Sequence, residues 1–407
     1  MSDDAGAFRL EVRGCIAEHW GTAMTVRSWW ELLVEAGLQF PTWPTGLGGR
    51  GLPAATARIV HEELAGAGAL GPPFNVGTLM GAEVIIAHGT VEQQRRFLPP
   101  LARGLEWWCQ MFSEPGAGSD LAGLSTRAER DGDRWRVTGQ KVWSSGAHQA
   151  DRAMLLARTD PDVPKHKGLG WFVLDVDQPG VEIRPIRQMN GIAGHFNEVF
   201  LDGAVVEDAC LVGGPGGGWA AALTTLEHER ISLNVRQRGL VWGSPGTRAG
   251  QLERRAADVV ADGDQASEYV ANRRFVNAAA LRRSAEGRWD DRLRRDDLVR
   301  LHTLDQLIDW TARRATQAPG TVRAAPNLAK VAKSDQARLA QQLAGDVHGA
   351  AATLFGPDAP EDGLITHMMT TTPSFSIAGG TDQVQRNIIG ERGLGLPREP
   401  APLTPGR

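Results

Sequence analysis

The chain is 407 residues long, with a formal net charge of −4, 42% hydrophobic and 23% charged residues. That length suggests two or three domains with ample material for a core, and the composition is globular rather than disordered, collagenous or coiled-coil. The charge balance argues against a nucleic-acid binder, and three widely spaced cysteines (Cys15, Cys109, Cys210) form neither a disulfide framework nor a CxxC metal site.

The opening MSDDAGAFRLEVRG is acidic and lacks the apolar stretch of a signal peptide. No apolar run approaches the ~20 residues of a membrane-spanning helix. A cytoplasmic protein without a membrane span is the expectation. To about residue 109 the chain reads as helices joined by Pro/Gly turns. AATARIVHEELAGAG and TVEQQRRFLPPLARG carry apolar residues at helical spacing. Thr90 followed by Gln93 has capping-box form and opens the second of these helices.

From about 110 to 212 the pattern changes. DRWRVTGQKVW, RAMLLART, GLGWFVLDVD, VEIRPI and NEVFLDGAVV are short β-rich runs separated by turn formers such as Asp131-Gly132-Asp133 and Pro179-Gly180. This spacing predicts an antiparallel sheet or barrel. GGPGGGW (213–219) then makes a Gly-rich joint, and helical patterning resumes to about residue 390. Residues 245–300 are Arg/Asp/Ala-rich and only weakly periodic. The reading is α+β, with an N-terminal helical domain (1–109), a middle β-domain (110–212) and a C-terminal helical region (213–407). The 44 basic residues include only five lysines, at 141, 165, 167, 330 and 333; this reads as compositional bias.

Gly46, Gly48 and Gly51 spell G-x-G-x-x-G, but FPTWPT precedes them where the dinucleotide fingerprint needs a strand. A glycine turn before a helix is the better reading. GGPGGGW lacks the Gly-Lys-Ser/Thr ending of a P-loop, and His61-Glu62-Glu63 lacks the second histidine of a zinc helix. No metal is expected.

Three segments carry chemistry. Gln110-Met111-Phe112-Ser113-Glu114-Pro115-Gly116-Ala117-Gly118-Ser119-Asp120 is a turn of small residues whose backbone N–H groups and hydroxyls can approach a flat polar ring. Lys141-Val142-Trp143-Ser144-Ser145-Gly146-Ala147 offers a large aromatic face with two hydroxyls behind it. Gly379-Gly380-Thr381-Asp382-Gln383-Val384-Gln385-Arg386-Asn387 lies at the far end. In this order and spacing they resemble the acyl-CoA dehydrogenase family of flavoproteins. The resemblance covers nearly the whole chain, including the ending Glu391-Arg392-Gly393-Leu394-Gly395-Leu396-Pro397-Arg398.

The resemblance implies a C-terminal four-helix bundle and FAD held between it and the β-domain. Gln110, Met111, Phe112 and Ser113 would line the flavin ring, with Ser113 on its pyrimidine edge. Trp143 would pack on the ring, and Ser144 and Ser145 would lie behind it, Ser145 near N5. Gly118 and Ser119 would meet the cofactor, and Ser119 also the CoA arm. Thr381 and Gln383 match FAD contacts, and Gly380 one that approaches the thioester. The implied reaction is α,β-desaturation of an acyl-CoA, with an electron-transferring flavoprotein as electron acceptor.

Many members place the catalytic base directly before the C-terminal Gly-Thr; here that position is Gly379. Others place it on an earlier helix in a Leu-x-x-Glu-Arg pattern, which Leu226-Glu227-His228-Glu229-Arg230 matches at Glu229, with Arg230 beside the substrate. The residues support the same choice. Ala222, Leu226, Glu229 and Leu233 share one helix face, and no cation lies four residues either side of Glu229. Partial burial would raise its pKa, which suits a general base. Glu227 can pair with Arg230 and reads as structural.

The family's cross-subunit flavin contacts are missing. Arg273-Arg274-Phe275 has the wrong spacing for Arg-x-x-Phe-Gly, and Asp346-Val347-His348-Gly349-Ala350 replaces a Gln-rich Gly-Gly turn. A homo-oligomer or a heterotetramer with a related subunit is implied. Two alternatives stay open: a flavin-dependent oxidase or monooxygenase on the same fold, and a weakly catalytic partner subunit.

Overall fold

The computed structural model describes residues 2–21, 23–191, 193–232, 240–246, 250–262, 276–317 and 324–398. The chain divides into two compact units, residues 1–187 with 193–265, and residues 188–192 with 266–407.

The first unit opens with α1 (Ser2–His19), α2 (Val26–Glu35) and α3 (Ala54–Gly66), followed by the short strand β1 (Leu70–Pro73). The pattern of α2 is decisive: Val26, Trp29, Trp30 and Leu33 recur at helical spacing and are all buried. The two indoles donate from Nε1 to Leu70 O (2.7 Å) and Gly71 O (2.9 Å), pinning β1 across the helix. Next come α4 (Ala82–His88) and α5 (Val91–Ala102). At the start of α5, Thr90 and Gln93 form the expected reciprocal capping box. The Gly46–Gly51 segment is a turn in which all three motif glycines have positive φ. At Gly49 a Cβ would lie 2.3 Å from the carbonyl oxygens of Phe40 and Trp43, so backbone closeness demands glycine there.

The middle sheet contains β2 (Trp108–Met111), β3 (Arg127–Asp131), β4 (Arg134–Lys141), β5 (Arg152–Arg158), β6 (Leu169–Asp175), β7 (Val181–Arg187), β8 (Ala193–Glu207) and β9 (Leu211–Val212). Its order is β7-β8-β4-β3-β5-β6-β9, with β2 beside β5. Five expected runs became β4 to β8; β2 and β3 lie outside them. Most pairs are antiparallel, but β2–β5 and β3–β5 are parallel, so the sheet is mixed where antiparallel pairing was expected. Pro185 sits in the outermost strand β7, where a missing N–H costs no ladder bond to a further neighbour. The unbroken buried runs of β5 and β6 place these strands at the centre of the core.

Two further elements close the first unit. Helix α6 (Gly218–Ser232) packs on β6 and α4, and β10 (Val241–Gly243) pairs in parallel with β1. β10 interrupts a stretch expected to be wholly helical; it is followed by α7 (Ala256–Ala261). The second unit is helical: α8 (Ala278–Ser284), α9 (Arg292–Gln317), α10 (Ala325–His348), α11 (Leu364–Thr371) and α12 (Asp382–Ile388). The two long helices α9 and α10 pack together, and Ala337, Ala340, Leu343, Ala344 and Val347 form the buried stripe of α10. No helix among the described residues is long and apolar enough to cross a membrane.

Candidate functional site

Strand β2 delivers the Gln110–Asp120 segment to one end of the sheet, and β4 delivers Lys141–Ala147 to the same place. The two are joined directly: Val142 N donates to Ser113 O at 2.9 Å. Beneath this junction lies a buried ion pair that the motif reading did not single out. Lys141 Nζ is 2.9 Å from Glu114 Oε1 and donates to Phe112 O at 3.0 Å, with the lysine side chain 0% and the glutamate 4% exposed. Glu114 also accepts from Ser125 N and Oγ (2.7 Å each) and Thr126 N (2.8 Å). Burial alone would raise the Glu114 carboxyl; the Lys141 charge and these donors outweigh it and hold the pKa at about 2. Burial draws Lys141 down to about 8 against the pull of Glu114, which leaves the pair charged at neutral pH.

Within this frame Gln110 and Ser113 are half-buried, and Gly118 and Ser119 are exposed at the lip of the turn. A Cβ at Gly116 or Gly118 would meet nothing, so the turn presents open backbone. Met111, Phe112 and Ser144 point into the core, leaving only their backbone for a ligand. Ser144 Oγ is buried without a hydrogen-bond partner. Trp143 is 56% exposed with φ +64°, and Ser145 beside it is half-buried. An outward indole on a strained backbone, next to an open small-residue turn, suits one face of a flat ring. The residues fit a flavin.

Glu229 lies near the end of α6, one turn beyond the fully buried Thr225. Trp171 Nε1 donates to Thr225 Oγ1 at 3.2 Å, and His88 Nε2 meets Thr224 Oγ1 at 2.9 Å. These contacts fix the helix on β6 and α4. Glu229 is half-buried, and Glu227 is exposed. The buried stripe of α6 runs through Ala221, Ala222 and Thr225, slightly rotated from the expected one. The side chain of Arg230, Leu233 and the Arg273–Phe275 segment lie outside the described residues.

In the second unit, Gly379 and Gly380 have φ +66° and +83°, and Thr381 caps α12 by accepting from Val384 N at 3.3 Å. Gln383 is exposed. The turn is held by Asp382 and Gln385 of the same motif, to which no role was assigned, and by Lys330 and Arg338 of α10. Asp382 receives Lys330 Nζ at 2.7 Å and Arg338 at 3.0 Å, and Gln385 Nε2 donates to Gly379 O at 2.7 Å. Burial would raise the Asp382 carboxyl, yet the Lys330 and Arg338 hydrogen bonds hold it at about 2. His348, in the segment that replaces the Gln-rich turn, is buried against Ser284 (3.2 Å).

Known proteins show the same organisation. The acyl-CoA dehydrogenase N-terminal, middle and C-terminal domain descriptions match residues 7–105, 109–204 and 269–394 in order. The acyl-CoA dehydrogenase IpdE1 of Mycobacterium tuberculosis is 36% identical, covering 97% of this chain and 99% of that protein. FadE34 of the same organism is 37% identical, covering 97% of this chain but 49% of its own length. Among solved structures, the Tcur3481-Tcur3483 steroid ACAD superposes with a TM-score of 0.68 at 26% identity, covering 98% of both chains. The ChsE4-ChsE5 complex from Mycobacterium tuberculosis does so with 0.65 at 29%, covering 97% and 98%. With all three domains in register and a relative matched end to end, the chain belongs to the acyl-CoA dehydrogenase family of FAD-dependent oxidoreductases.

Proposed function

We propose that this acyl-CoA dehydrogenase desaturates its thioester at Cα–Cβ with Glu229 as the general base. Bound FAD supplies the acceptor for the β-hydride, at its N5. Glu229 takes the α-proton, and a trans-2-enoyl thioester leaves. Trp143 would cover the ring, Ser113 and Ser145 would give it hydrogen bonds, and Ser119, Arg230 and Gly380 are the residues proposed for the substrate. The observation that carries this reading is a half-buried carboxylate on a well-fixed helix, in a chain whose other base position, Gly379, has no side chain. Glu229→Gln should keep stoichiometric flavin and lose nearly all desaturation. Wild-type turnover in that variant would remove Glu229 from the reaction.

The steroid ACAD likeness supports a bulky, polycyclic acyl group on the CoA thioester. A screen of acyl-CoAs for bleaching of flavin absorbance tests it; a preference for short straight chains would refute it. An electron-transferring flavoprotein is the proposed acceptor. A related subunit is the proposed partner, because the cross-subunit flavin motifs are absent and both similar assemblies are named as two-protein pairs. In that reading the chain purified alone is poorly yellow and gains flavin with its partner. Full flavin loading as a homo-oligomer would overturn it.

A further inference from the structure

We propose that Asn197, with Phe196, is a positioning residue that holds the Trp143 indole in place against the flavin; this rests on the flavin reading above. Trp143 has φ +64°, and among the described residues of the first unit it alone combines a side chain with positive φ. A bulky residue adopts this region only where its surroundings impose it. Here both flanking amides are taken. On one side Val142 N donates to Ser113 O at 2.9 Å. On the other, Ser144 N donates to Asn197 O at 3.0 Å, and Asn197 Nδ2 returns a bond to Ser144 O at 2.9 Å. Gly146 N donates to His195 O at 2.9 Å, continuing the same seam.

Asn197 is fully buried on β8. Its Nδ2 also lies 3.4 Å from His148 Nδ1. Turning the amide over would set Oδ1 against Ser144 O. In the observed orientation Oδ1 is buried with no hydrogen-bond partner. The adjacent Phe196 ring stands edge-on to Trp143, with centroids 5.7 Å apart at 89°. Main chain and ring together aim the indole outward. A small displacement of a group that orients reactants lowers the rate at saturation more than it weakens binding.

The test uses Asn197→Leu, which keeps the volume, with Asn197→Ser as a second variant should the first not fold. Amide hydrogen exchange on flavin-free protein is read at residues 142–147. Flavin content and the rate of flavin bleaching by saturating acyl-CoA are read on loaded protein. We expect exchange at Ser144 and Gly146 to rise at least tenfold, flavin to be retained, and bleaching to slow at least tenfold with KM within twofold. In a Trp143→Ala background the Asn197 substitution should slow bleaching no further. Unchanged exchange, unchanged bleaching, or additive losses in the double variant would each overturn the proposal while leaving the flavin reading intact. A wild-type chain that takes up no flavin, alone or with a related subunit, would sink both.

Discussion

Lys141 Nζ stands 2.9 Å from Glu114 Oε1, next to the Val142 N–Ser113 O hydrogen bond that joins the two candidate flavin-binding segments. The ammonium also holds Phe112 O, so one side chain ties the start of the first segment to the end of β4. Lys141→Met keeps much of the stem but leaves Glu114 buried without its counter-charge. Breaking a buried pair in this way costs about 3–5 kcal/mol. The expected outcome is a large drop in the urea midpoint together with loss of flavin. A double Lys141→Met, Glu114→Leu variant should recover much of the stability, because no charge is then stranded; denaturation curves of the three proteins decide it.

The same pair sets an acid limb. The folded Glu114 and Asp382 carboxyls both sit at about 2, below the ordinary carboxylate range, Glu114 chiefly through Lys141 and Asp382 chiefly through Lys330 and Arg338. A carboxyl whose folded pKa is depressed stabilises the fold above its unfolded pKa, and that stability is lost as pH falls toward the folded value. Each contributes about 2–3 kcal/mol at neutral pH. Stability should therefore fall between about pH 4.5 and pH 2. In Asp382→Asn the second unit should show a shallower fall, measured by hydrogen exchange of peptides from 325–348 across that range.

Much of this was legible in the sequence. Period-2 runs bounded by turn residues located β4 to β8, because a strand with one buried face must alternate or stay apolar. Strands β2 and β3 were hidden. β2 is four residues long and runs straight into the motif turn, and β3 reads RAERD, with one buried side chain in five. β10 was hidden because it is three residues long, too short to show a period, and its partner β1 lies 170 residues upstream. Of the site, the exposed indole and open turn followed from their motifs, but the clamps beneath them did not. Lysine rarity was no guide to them: Lys141 is buried and Lys330 half-buried, each against a carboxylate, but Lys165 and Lys167 are exposed.

Trp143 gives a test of strain against function. A left-handed backbone costs a residue with a Cβ about 1–2 kcal/mol, while glycine's extra freedom in the unfolded chain returns about 0.5–1 kcal/mol of that. Trp143→Gly should therefore leave the flavin-free protein as stable as wild type, or slightly more so, since the indole is mostly exposed. Flavin affinity should fall at least tenfold. Calorimetry of the apo protein and flavin titration read the two effects separately; a marked loss of apo stability would mean that the indole is chiefly a packing residue.

Thr225 links the core to the proposed base. Its hydroxyl accepts from Trp171 Nε1 and donates to Ala221 O at 2.9 Å, with both side chains fully buried. Thr225→Val keeps the shape and removes the acceptor, leaving the Trp171 N–H buried without a partner. The stranded donor costs about 1–3 kcal/mol. The cheapest relief is a shift of α6 away from β6, and Glu229 sits one turn further along that helix. Turnover at saturating thioester should fall several-fold more than the stability loss alone explains, with flavin content unchanged. Thr225→Ser restores the hydroxyl and should restore turnover, so kinetics of the two variants side by side separate lost packing from lost alignment. If Val and Ser behave alike in kcat, the hydroxyl does not align Glu229.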